Sequence, residues 1–128
     1  MRVLIADGQK GVGASLAALV EKCGHEVLLV VGSGLEAIQA HARLRPDVVL
    51  MDYSLPRFNG AIASRLILSK DPEAKIIILS EVAPATDLAD SGAVAILSKP
   101  VELDQLYAAL YDAAPRRTEP RGSIDTGL

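Results

Sequence analysis

The chain has no tryptophan, one phenylalanine and three tyrosines, although half of its residues are apolar. Its core must therefore be aliphatic, which suits Val/Ile/Leu-rich strands covered on both faces by helices and excludes disorder for most of the chain. A single cysteine, Cys23, excludes an internal disulfide. It falls on the apolar side of a helical pattern and reads as a core thiol in a reducing compartment. Basic residues are not in excess: 13 Lys and Arg stand against 16 Asp and Glu, a net charge of −3. Such a balance gives no electrostatic footprint for nucleic acid. No run approaches the ~20 apolar residues of a membrane span. The N-terminus meets Asp7 after too short an apolar stretch for a signal peptide. The expectation is a cytoplasmic protein, and 128 residues is about one domain.

What is present is an alternation. Aliphatic runs at residues 3–6, 27–31, 48–51, 76–79 and 94–97 are separated by segments with a period near 3.6. Each run has strand length and the continuous apolar character of a buried parallel strand. Val12, Leu16, Leu19, Val20 and Cys23 mark one helix face, and Leu35, Ile38 and Ala42 mark a second that must stop before Pro46. Ile62, Leu66 and Ile67 mark a third. Leu103, Leu106, Tyr107 and Leu110 mark the last, with Glu102 and Asp104 in its first turn, where the helix dipole favours acids. Between the fourth and fifth runs only residues 84–91 remain for a short helix, opened by Pro84 and ended by Gly92. The alternation predicts an α/β fold with an open, doubly wound, five-stranded parallel sheet and right-handed crossovers. This domain spans residues 1–114. From Pro115 the composition turns to Pro, Arg, Thr, Gly and Ser without periodicity, so residues 115–128 are expected to form a disordered tail.

Open α/β sheets bind ligands beyond the carboxyl ends of their strands. Asp7 follows the first run, Asp52 the third and Ser80 the fourth, while the fifth leads to Lys99. Singly, each has an ordinary explanation as a turn residue, a cap or a solvated charge. Four of them on one rim make coincidence the weaker account. A carboxylate can attack a phosphoryl group to give an acyl phosphate. Two neighbouring acids can hold Mg²⁺. An ammonium and a hydroxyl can engage the added oxygens. The glycine-rich stretch at residues 8–15 is not a phosphate-binding P-loop, because Ala14 stands where that pattern needs lysine. The dinucleotide fingerprint fails as well, since Val30, Val31 and Gly32 offer no acid at the end of the second run. His25 and His41 lack metal-ligand spacing and read as ordinary surface residues. Tyr53 reads as a loop packing residue.

The stretch Met51-Asp52-Tyr53-Ser54-Leu55-Pro56-Arg57-Phe58-Asn59-Gly60, with Pro four and Gly eight residues after the acid, resembles the acceptor loop of response-regulator receiver domains. Ser98-Lys99-Pro100 resembles their Lys-Pro signature, in which the proline usually follows a cis peptide bond. Ser80 falls at their Ser/Thr switch, and Val3-Leu4-Ile5-Ala6-Asp7 at their acidic strand. The resemblance covers about residues 2–113 and implies a flavodoxin-like sheet of order 2-1-3-4-5, with two helices on one face and three on the other.

It also implies that Asp52 is the phosphoacceptor, with a histidine kinase or phosphotransfer protein as donor. Lys99 and Ser80 would engage the phosphoryl group. Asp7, Asp52 and the backbone carbonyl of Ser54 would hold Mg²⁺. Output would pass to a downstream protein, without direct nucleic-acid or membrane contact. The chain would not be an enzyme beyond self-catalysed phosphoryl transfer and hydrolysis.

Four features depart from the family pattern. Gly8 replaces a second acid, which implies weak Mg²⁺ binding. Glu81 follows Ser80 where a small residue is usual. Ile96 replaces the switch aromatic, and the segment from Ser80 to Lys99 is short. A degenerate receiver, binding its partner without phosphorylation, is the alternative on the same fold. A hydrolase built on Asp52 lacks a histidine base in the acceptor region.

Overall fold

The structure, a computed structural model, describes residues 1–81 and 88–114, with Lys10 described by its backbone alone. Its elements are β1 (Arg2–Ala6), α1 (Lys10–Lys22), β2 (Glu26–Val31), α2 (Gly34–Leu44), β3 (Val48–Asp52), α3 (Gly60–Lys70), β4 (Ile76–Ser80), β5 (Ala95–Ser98) and α4 (Leu103–Ala113). All neighbouring strands are parallel, in the order β2-β1-β3-β4-β5 that the resemblance implied. The first half of the helix expected at 84–91 (residues 84–87), and all of the tail expected at 115–128, lie outside the described residues; Leu88 and Ala89 are helical.

Side chains alternate across the sheet with a period of two, so each central strand supplies two cores. Val3, Ile5, Val48, Leu50, Ile77 and Leu79 point to one face, where they pack with Leu16 and Val20 of α1 and Leu106 and Leu110 of α4. Leu4, Val49, Met51, Ile76 and Ile78 point to the other and meet Ala37 and Ala40 of α2 and Ala63 and Ile67 of α3. Every residue of β3 and β4 is buried. The runs at β2 and β5 look equally central in the sequence, yet both are edge strands. Leu29 and Val30 of β2 are 39% and 41% exposed, and Ile96 of β5 is 44% exposed. An irregularity in the β1–β2 pairing adds to this: Val3 pairs with Val27 but Leu4 pairs with Leu29, leaving Leu28 as an extra residue in β2.

The helix faces differ in part from those predicted by the large apolar residues. In α2 the buried residues are Gly34, Ala37, Ala40 and His41, while Ala42 is exposed. In α3, Ile67 is buried with Gly60, Ala61, Ala63 and Ser64, and Leu66 stays 40% exposed. In α4, Leu106 and Leu110 face the core, but Leu103 and Tyr107 do not. Small residues let a helix approach the sheet closely, and close packing decides which face is buried.

His41 is a correction to the surface reading: it is buried where the C-terminal ends of α2 and α3 meet. Its Nε2 lies 3.9 Å from an Asp71 oxygen, which Arg45 approaches to 3.6 Å. Burial lowers the His41 pKa; Asp71 partly counteracts this and Arg45 adds to it. His25 is only half-exposed, and burial, followed by the amino-terminal charge, lowers its pKa too.

Candidate phosphoacceptor site

Strand register brings the rim residues together. Ala6 pairs with Met51, which places Asp7 and Asp52 side by side at the ends of β1 and β3. Asp52 pairs with Leu79 and Ser80 with Ser98, so the ends of β4 and β5 complete the row. Asp52 and Ser80 are the last residues of their strands and not the first residues beyond them, as the apolar runs suggested. Lys99 follows β5, its amide donating to the Ser80 carbonyl at 3.0 Å, and the Lys99–Pro100 bond is cis.

Both carboxylates are buried, and both are held in the same way. Asp7 Oδ1 accepts from the Gln9 amide at 2.8 Å, and Asp52 Oδ1 accepts from the Ser54 amide at 3.2 Å. Each Oδ2 is left facing Lys99, whose Nζ stands 3.4 Å from both. The Lys99 side chain is only 13% exposed, so it is not a solvated surface charge. At this separation and an effective dielectric of ~20, each attraction is about 5 kcal/mol before desolvation, which takes much of it back. One ammonium between two carboxylates leaves the group with a net negative charge. Such a site favours a further cation.

Ser80 adds a buried hydroxyl whose oxygen has no hydrogen-bond partner among the described residues. An unsatisfied buried polar group costs about 1–3 kcal/mol, so this one is placed at a loss to the fold alone.

The loop after β3 is tightly specified. The Tyr53 amide donates to Leu79 and its carbonyl accepts from Gly60, both at 2.8 Å. Asn59 caps α3 by accepting from the Ile62 amide at 2.9 Å. Arg57 and Phe58 adopt left-handed φ values of 53° and 80°, and the Pro56 and Arg57 carbonyls accept from the first amides of α2. At position 60 a Cβ would collide with the Asp52 carbonyl oxygen and stand 2.9 Å from Tyr53 Cα, which accounts for glycine there. Gly8 is different. Its backbone is outside the left-handed region, and a Cβ would meet Pro56 Cδ at an ordinary 3.4 Å, 3.9 Å from the Ser54 carbonyl oxygen. A side chain would fit there.

The donor set of two carboxylates and the neighbouring Ser54 carbonyl is all hard oxygen and suits Mg²⁺ in kind. It is lean in charge, since no group of three or more His, Cys, Asp or Glu able to hold a metal occurs among the described residues. Glu81 is exposed directly past Ser80 and lines a cleft with Gln9, Leu16, Leu79, Lys99 and Pro100. The sequence reading missed Gln9, whose amide holds Asp7. A backbone donor leaves no trace in residue type, so no sequence signal could have found it.

Among the described residues no helix is long and apolar enough to cross a membrane. The family profile described as "Response regulator receiver domain" matches residues 3–111. The chemotaxis protein CheY of Thermotoga maritima is 34% identical over 112 residues, covering 85% of this chain and 93% of that protein. The chemotaxis protein CheY of Listeria monocytogenes is 30% identical over 117 residues, covering 89% and 98%. A solved response regulator receiver domain protein from Clostridium thermocellum superposes with a TM-score of 0.81 at 27% identity, covering 88% of this chain and 92% of that one. With this extent of match and this sheet, the chain belongs to the response regulator receiver domain family of two-component signalling.

Proposed function

We propose that Asp52 accepts a phosphoryl group from a histidine kinase or phosphotransfer protein and that the phosphorylated chain signals by binding a downstream protein. The observation that carries this reading is the pose of Asp52: a buried carboxylate at the end of a central strand, one oxygen held by an amide and the other facing Lys99. In the transfer, an Asp52 oxygen forms a bond to phosphorus while the donor's bond to phosphorus breaks, its electron pair leaving with the donor. Lys99 stands where it can follow the charge onto the new phosphoryl oxygens, and the unpartnered Ser80 hydroxyl can hydrogen-bond one of them.

Receivers of the CheY family bind Mg²⁺ at the phosphorylation site. Here Asp7, Asp52 and the Ser54 carbonyl would hold it, and the ion would neutralise transferring oxygens. Binding is weak on this reading, because Gly8 contributes no carboxylate. Ile96 has no ring, so output would pass through Ser80 and the β5–α4 side without an aromatic swing. The working location is the cytoplasm, as for CheY-like relatives.

Incubation with a small phosphoryl donor and Mg²⁺, read by intact mass, tests the assignment. Wild type should gain one phosphoryl group and Asp52→Asn none. Equal labelling of the two proteins would move the acceptor elsewhere. No labelling of correctly folded wild type would favour the phosphorylation-independent binding module.

A further inference from the structure

We infer that Glu81 selects the class of phosphoryl donor, favouring a donor whose leaving group is a protonated nitrogen over an anionic acyl phosphate. This rests on Asp52 being the acceptor. Asp52 pairs in register with Leu79, so Glu81 stands two residues further along the strand direction, about 7 Å beyond the level of the acceptor. Leu79, Glu81 and Lys99 line one cleft, so the carboxylate and the ammonium share the approach to the rim. Asp52 is only 5% exposed, whereas Glu81 is exposed at the mouth.

The nucleophile is buried at the end of β3, so an in-line displacement puts the leaving atom on the solvent side, the side on which Glu81 is exposed. Lys99, which lines the cleft with Glu81, also faces Asp7 and Asp52, so one ammonium is set against three carboxylates. A donor with an anionic phosphoryl group whose leaving side gains negative charge as the P–O bond breaks, as in an acyl phosphate, is disfavoured beside Glu81. A phosphohistidine carries a protonated ring on its leaving side, whose N–H a carboxylate can accept. In that transfer the P–N bond breaks with its electron pair staying on the ring nitrogen. The P–O bond forms to Asp52, and the imidazolium departs as neutral imidazole.

An exposed carboxylate is often only a solvated charge, and such a bystander would leave donor preference untouched. The test therefore compares donors. Wild type, Glu81→Gln and Glu81→Ala are labelled in Mg²⁺ with acetyl phosphate, an anionic acyl donor, and with phosphoramidate, whose nitrogen is protonated. Rates are followed by intact mass at low and high salt. Glu81→Gln should speed labelling by acetyl phosphate on the order of three- to tenfold at low salt, with no gain for phosphoramidate. The shift should shrink near ~1 M salt, where the Debye length is about 3 Å.

An equal change with both donors in Glu81→Gln overturns the inference while leaving Asp52 as acceptor. So does a rate gain with both donors confined to Glu81→Ala, which would mark crowding and not charge. Failure of every donor to label Asp52 in all three proteins removes the acceptor reading, and this inference with it.

Discussion

Asp7 and Asp52 hold the same pose at the ends of adjacent strands: each Oδ1 accepts from the amide two residues ahead and each Oδ2 turns to the one ammonium of Lys99, 3.4 Å from both. The two carboxylates are thus pre-positioned by backbone and not by each other's side chains. This makes their charge balance the variable on which the site's behaviour turns, and several outcomes depend on it.

Changing Lys99 to Met leaves two buried carboxylates facing each other. The protein should lose about 2–4 kcal/mol in urea unfolding without divalent cation, since breaking a buried pair strands its partner. Mg²⁺ should restore more stability to Lys99→Met than it adds to wild type, because it takes the place of the lost charge. An unchanged melt would show that these ion pairs contribute nothing net.

Gly8→Asp adds a third carboxylate at a position with room for it. Without Mg²⁺ the variant should be less stable by about 1 kcal/mol through like-charge repulsion. With Mg²⁺, calorimetry should show at least about tenfold tighter binding, or about 1.4 kcal/mol. Equal affinities in a correctly folded variant would mean that the missing acid does not limit the site, and attention would pass to Glu81.

Ser80→Ala removes a buried hydroxyl that has no partner among the described residues. The unphosphorylated protein should be unchanged or more stable by up to about 1 kcal/mol, against the usual cost of core changes. The stabilisation that beryllium fluoride and Mg²⁺ give to the melting temperature should be smaller in the variant. An equal gain would leave Ser80 no part in holding the phosphoryl group.

His41 is buried with its pKa lowered, chiefly by desolvation. The unfolded chain takes up a proton near the ordinary value of ~6.5 while the folded chain resists it. Stability is therefore full above that value and falls as pH drops from there through the folded pKa. His25 shifts in the same direction, so wild type carries both contributions. His41→Gln should show a smaller loss of stability between neutral and mildly acidic pH. An identical pH dependence would place the titration elsewhere.

Much of this protein was legible in its sequence because the signals are local. An aliphatic run bounded by polar residues reports a buried strand wherever it sits, and an acid closing such a run lies at a sheet end whatever the strand order. The loop after β3 was equally plain: Asn59 caps α3, and Gly60 is required because a Cβ there would meet the Asp52 carbonyl oxygen. The faces of α2, α3 and α4 were less legible, because Ala37, Ala40 and Ala63 win burial by allowing close approach, not by apolar size. His41 was misread for a related reason. Its burial comes from the meeting of two helix ends far apart in sequence, which no periodicity along α2 reveals.

The sequence by itself determined that carboxylates, a hydroxyl and an ammonium would stand at strand ends. The strand order came from the family resemblance and not from the runs themselves; only the tertiary structure decided that Leu29, Val30 and Ile96 are exposed on the edge strands and that Lys99 reaches both acids from beyond β5. The physical reason is that strand pairing is a non-local choice, fixed by how helices cover both faces of a twisted sheet. The position of each site residue is written in its own segment, while their union is a property of the packed whole.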